Sequence, residues 1–146
     1  MSDRIDALKS LHTTLVDSRN GYEEALEKSE GEGIAPLFRQ MIDLRIEAAA
    51  QLGQHLTMLG ERADDEGSFM STVHRTVIDI RSALTGLDEG ILPSLISGEE
   101  RILASYDEAI AATDPSAPEY SVLLVQRDDL RGKISAMERM SAQHAA

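Results

Sequence analysis

Chemistry in this sequence would have to come from glutamate, histidine and arginine residues on helical repeats. In RIEAAAQLGQHL (residues 45–56), Glu47 stands where a Glu-x-x-His metal pair would begin, but residue 50 is alanine and the next histidine is His55. Carboxylate sites for two irons or manganeses take one Glu from each of two helices and a Glu-x-x-His from each of the others. Those metals need hard oxygens and imidazoles converging, with positions left open for oxygen. At 100° per residue, Glu47 falls roughly 140° from Leu52, on the polar side of its helix. His55 lies about 60° from the centre of the apolar face, and Arg45 only about 20° from Leu52.

The same spacing sets Arg19 among Leu15, Tyr22 and Leu26, and Glu99 among Leu95, Ile102 and Tyr106. Arg127 shares a face with Leu123, Leu130 and Ile134, while His12 and Glu23 fall at the border of the first helix's stripe. Counted from the helix midpoints, Arg19, Arg45 and Glu99 reach similar heights, with Arg127 about one turn away. A buried unpaired charge costs several kcal/mol, so Glu99 is expected to neutralise Arg19 and Arg45.

The favoured reading of Arg19, Arg45, Glu99 and Arg127 is a buried charge network that fixes helix register. A second reading is an anion or carboxylate pocket, because guanidinium groups hold such ligands through paired hydrogen bonds. A third is a residual iron or manganese site built from Glu23, Glu99, His12 and His55. No Glu-x-x-His occurs on the helices that would need one, so no metal or other cofactor is expected. His12 reads as a satisfied interface histidine. His74 and Arg75 read as bonded to backbone or to an acidic neighbour. Tyr22, Tyr106 and Tyr120 read as core residues with hydrogen-bonded hydroxyls.

Composition narrows the function classes. A net charge of −12 without a basic patch argues against nucleic acid as a partner. With no cysteine the chain can form neither a disulfide nor a thiolate site, which suits a reducing cytoplasm. The N-terminus is charged from Asp3 onward and no apolar run reaches the roughly 18 residues of a transmembrane helix, so no export signal or membrane association is expected. Hydrophobic residues make up 42% but aromatics only 3%, so the core must be packed from aliphatic side chains, as in helical bundles.

The elements that position these residues follow from apolar spacings of three and four. One helix is predicted over about 3–30, capped by Asp3 and stopped by Gly31 and Gly33. A second spans about 35–60, from Pro36 in its first turn to Gly60 at its end. A crossover helix of about 68–85, capped by Ser68 or Ser71, precedes main helices over about 88–112 and 117–142. Pro93 weakens the start of the former, and Ser116 with Glu119 forms a capping box for the latter. Tight connections make antiparallel hairpins of the first two and last two main helices. The connection from 61 to 87 is long enough to return along the bundle. The expected fold is therefore a single-domain, all-α, ferritin-like up-down-down-up four-helix bundle with an additional helix in the crossover; a plain five-helix up-down array is the alternative.

The segments TTLVDSRNGYEEALE, GSFMSTVHRTVIDIRSALTGLDEGILP and GEERILASYDEAI resemble a bacterial family of ferritin-like four-helix-bundle domains of unknown function, across nearly the whole chain. The resemblance implies the ferritin-like fold, dimerisation and an association with stress responses, but no substrate. Taken with the residues, it points to a non-catalytic bundle acting through binding or self-association, its dimetal site replaced by the charge network. A dimetal carboxylate protein with atypical ligands and an anion or small-acid binding module are the alternatives. Ile46, Met58 and Ile78 fall on outer faces that one bundle does not cover, which predicts a symmetric homodimer.

Overall fold

The computed structural model describes residues 2–29, 34–61 and 89–145. Among these the secondary structure is entirely helical: α1 (Ser2–Ser29), α2 (Ala35–Met58), α3 (Leu92–Ala112) and α4 (Pro118–Ala145), with a 3-10 turn at Glu89–Ile91 leading into α3. The expected crossover helix, with Ser68, Ser71, His74, Arg75 and Ile78, lies outside the described residues, as do Gly31 and Gly33. No helix among the described residues is long and apolar enough to cross a membrane.

Each helix buries a seam in steps of three and four residues, the pattern of interdigitating helices. On α1 the seam is Leu8, Leu11, Leu15, Ser18, Tyr22 and Ala25; on α2 it is Phe38, Met41, Arg45, Ala48, Leu52 and Leu56. On α3 it is Leu92, Leu95, Glu99, Ile102, Tyr106 and Ala109; on α4 it is Glu119, Leu123, Gln126, Leu130, Ile134 and Met137. Ser18, Arg45, Glu99 and Gln126 thus place a polar residue from each helix in the middle of its mainly apolar seam. Among the buried aromatic residues Tyr22, Phe38 and Tyr106, Tyr22 and Phe38 form an edge-to-face pair with ring centroids 5.1 Å apart.

Local chemistry sets the ends. Pro36 and Pro93 sit in the first turns of α2 and α3, where the missing N–H would have no helical partner anyway. Gly60 stops α2 at φ +82°, a left-handed conformation that favours glycine. The Gly60 N–H donates to the Thr57 carbonyl at 3.0 Å and the Glu61 N–H to the Leu56 carbonyl at 2.9 Å, satisfying two end carbonyls. The expected Ser116–Glu119 capping box is not the arrangement found. Ser116 donates both its N–H (2.9 Å) and its hydroxyl (2.7 Å) to Asp114 Oδ1, and Glu119 is drawn into the interior instead.

α1 packs most extensively on α2, and α3 on α4. Between these hairpins α1 meets α3, and α2 meets α4 more lightly. Lys9 near the start of α1 pairs with Glu61 just past α2, at 3.2 Å, so α1 and α2 run antiparallel. Gln126 reaches Gln51 while Lys133 reaches Gln40, so α2 and α4 also run antiparallel. Arg4 bonds Glu119, which places the first turns of α1 and α4 at the same end.

Candidate functional site

The central polar residues form one layer that draws on all four helices. Arg45 on α2 is 1% exposed and Glu99 on α3 is 2% exposed, and the Arg45 Nη2 donates to Glu99 Oε1. The Tyr22 hydroxyl donates to the other carboxylate oxygen, Oε2, at 2.5 Å. Arg45 Nε donates to Ser18 Oγ at 3.2 Å. Beside this group, the Tyr106 hydroxyl donates to Gln126 Oε1 (2.8 Å), and Gln126 Nε2 donates to Gln51 Oε1 (2.8 Å) and the Ala48 carbonyl (3.3 Å).

The electrostatics follow from burial. Loss of water opposes charge on Arg45, but the Glu99 carboxylate, with Tyr22 and Tyr106 nearby, outweighs it and holds the guanidinium pKa above its ordinary value. Burial, reinforced by Glu99, pushes the Tyr22 phenol well up. Tyr106 is also raised, by burial first and then by Glu99, against the opposing effect of Arg45. The Arg45 guanidinium is therefore held charged beside Glu99, with two protonated phenols as neighbours. Both Glu99 oxygens are engaged and the residue is buried, so the carboxyl serves as an internal acceptor tying α1 and α2 to α3.

The expected network is corrected at two of its four positions. Arg19 is not a second buried cation: its side chain is 25% exposed, bonds Asn20 Oδ1 at 3.0 and 3.2 Å and pairs with Glu23 at 3.3 Å. Arg127 is likewise at the rim, 22% exposed and paired with Asp107 at 3.1 Å. In both helices the residue just before the arginine, Ser18 or Gln126, takes the inward position. A face centred on large aliphatic residues alone is set too far round the helix, because small and neutral polar residues also occupy the seam.

The residues of the metal alternative are not brought together. His12 is buried, His55 is half-buried on the last turns of α2, and the Glu23 side chain is 52% exposed beside Arg19. Among the described residues no group of three or more His, Asp or Glu side chains is placed to hold a metal ion. Glu47 is exposed, and Tyr120 is half-buried.

A second ion pair, between α1 and α4, was not legible; its Arg4 side chain is 27% exposed and only the Glu119 side is buried. Arg4 Nε and Nη2 donate to the two oxygens of Glu119 at 2.6 and 2.9 Å, and Glu119 is 1% exposed. The Arg4 hydrogen bonds hold the Glu119 carboxyl below its ordinary value, against burial, with His55 assisting. Asp17, 1% exposed on α1, was also missed. Because the Glu119 pKa is depressed on folding, its contribution is present above the unfolded value and is lost as pH falls through the folded one. Wild type should therefore melt above Glu119→Gln at neutral pH, and the gap should close as pH falls below about 4.5. Thermal melts of both proteins from pH 7 to pH 3 check this, and a gap that widened in acid would contradict it.

The conserved-domain description Domain of unknown function (DUF2383) matches residues 3–112. The chain belongs to that family. No curated protein and no solved structure matches the chain. The DUF2383 match carries Arg4, Ser18, Tyr22, Arg45, Glu99 and Tyr106, whereas Glu119 and Gln126 lie beyond it on α4. It is shorter than the near-complete resemblance expected from the sequence.

Proposed function

We propose that this DUF2383 chain is a non-catalytic, ferritin-like helical bundle that works in the cytoplasm through binding or self-association, in stress physiology. The helix directions support an up-down-down-up reading: α1 and α4 start at one end, and α2 runs antiparallel to both. In that arrangement the middle of the bundle is where a dimetal centre would sit. The observation that carries the reading is the state of Glu99, the inward carboxylate at that level, whose two oxygens are taken by Arg45 and Tyr22. A cation placed there would meet a guanidinium instead of open donors. An anion would find Arg45 buried and already committed.

Protein purified without chelators and exposed to ferrous or manganous ions should retain far less than one metal per chain by elemental analysis. Retention near two per chain, lost in Glu99→Gln, would replace this reading with the dimetal one.

A further inference from the structure

The four described helices are not closed to the same degree on every side. α1 meets α3 more extensively than α2 meets α4, and the α1–α3 side is tied in the interior by the Tyr22 hydroxyl on Glu99 at 2.5 Å. The α2–α4 side is joined instead by side-chain hydrogen bonds that lead out to the exposed residues Gln40 and Gln51. Lys133 Nζ donates to Gln40 Oε1 at 3.4 Å, and Gln126 Nε2 donates to Gln51 Oε1 at 2.8 Å and to the Ala48 carbonyl at 3.3 Å. Bonds at the surface exchange with bonds to water, so breaking them costs little beside the exposure of apolar side chains. Regions with few buried apolar contacts and solvent-exposed hydrogen bonds are the ones that open below the free energy of global unfolding.

We propose that the bundle opens along its α2–α4 side, with the α1–α3 side as the hinge. Each hairpin moves as a packed unit, because α1 on α2 and α3 on α4 are the most extensive contacts. Tyr22 and Glu99 stay joined at the hinge, while Gln126 parts from Gln51 and Ala48 and water reaches the Tyr106–Gln126 bond behind them. Small polar solutes thereby gain a route from the surface at Gln51, past Gln126, to a polar layer that is sealed in the closed bundle.

Two adjacent alanines provide a matched test. Ala48 and Ala49 have the same side chain and are each 5% exposed, but they face different helices. At 100° per residue Ala48 lies about 60° from Arg45 on the side of Gln51 and α4, and Ala49 about 40° from it on the side of α1. The chain has no cysteine, so Ala48→Cys and Ala49→Cys each carry a single thiol. Each native variant is treated with iodoacetamide, and its labelling rate relative to the unfolded chain is divided by the unfolded fraction from that variant's own urea melt. This reference removes any packing cost of the added sulfur. Ala48→Cys should be labelled about tenfold or more faster than its unfolded fraction allows, with little dependence on low urea, and Ala49→Cys no faster than its unfolded fraction allows. A ratio for Ala48→Cys no larger than that for Ala49→Cys overturns the proposal.

Discussion

Glu99→Ala is expected to destabilise the protein by about 3–5 kcal/mol, the usual loss when one partner of a buried ion pair is removed. The variant leaves the Arg45 guanidinium charged and 1% exposed, with the Ser18 hydroxyl as its remaining named partner, and deprives the Tyr22 hydroxyl of its acceptor. A loss of that size would remove a large share of the roughly 5–15 kcal/mol that holds a typical domain folded. Glu99→Gln should cost less, because the amide oxygen can still accept from Arg45. Glu100→Ala should change stability by no more than about 0.5 kcal/mol, since Glu100 is exposed one position along the same helix. Urea melts of the three variants provide the comparison. Equal, small losses at residues 99 and 100 would show that the buried pair contributes little.

Removing both charges should behave quite differently. Arg45→Met alone strands the Glu99 carboxylate and should again cost about 3–5 kcal/mol. Arg45→Met with Glu99→Leu replaces the pair by apolar groups that can fill similar space, an exchange that is often neutral or stabilising by about 1–4 kcal/mol. The Tyr22 hydroxyl then lacks its acceptor, an orphaned buried group worth about 1–3 kcal/mol, so adding Tyr22→Phe should recover part of that. A double-mutant cycle measures the coupling, which should reach several kcal/mol because the two side chains touch. Single losses that simply add in the double variant would deny the coupling.

The helices and half of the central layer were legible because their signals are local. Apolar steps of three and four, prolines in first turns and Gly60 at a helix end mark elements within a few residues. Arg45 and Glu99 stood out as charges inside strongly aliphatic stripes. Arg19 and Arg127 were misplaced by a single step because Ser18 and Gln126 carry no hydrophobic signal, yet both are 7% exposed. The Arg4–Glu119 pair joins positions 115 apart, and no local pattern links residues brought together only by the starts of two helices meeting at one end. The same distance turned the capping box astray. Glu119 has the right offset from Ser116, but its carboxylate goes to a cation on another helix.

The two buried phenols also bear on how the molecule can be observed. The chain has no tryptophan and three tyrosines, so its near-ultraviolet signal is a tyrosine signal. Tyr22 and Tyr106 are 4% and 2% exposed, each hydrogen-bonded to a side chain of a different helix: Tyr22 of α1 to Glu99 of α3, and Tyr106 of α3 to Gln126 of α4. Fixed rings in an asymmetric interior give circular dichroism that mobile rings do not. In this protein that band tracks the seating of α3 against its neighbours, while the far-ultraviolet band counts helix wherever it forms. A bundle whose hairpins had parted but stayed helical would keep the second signal and lose the first.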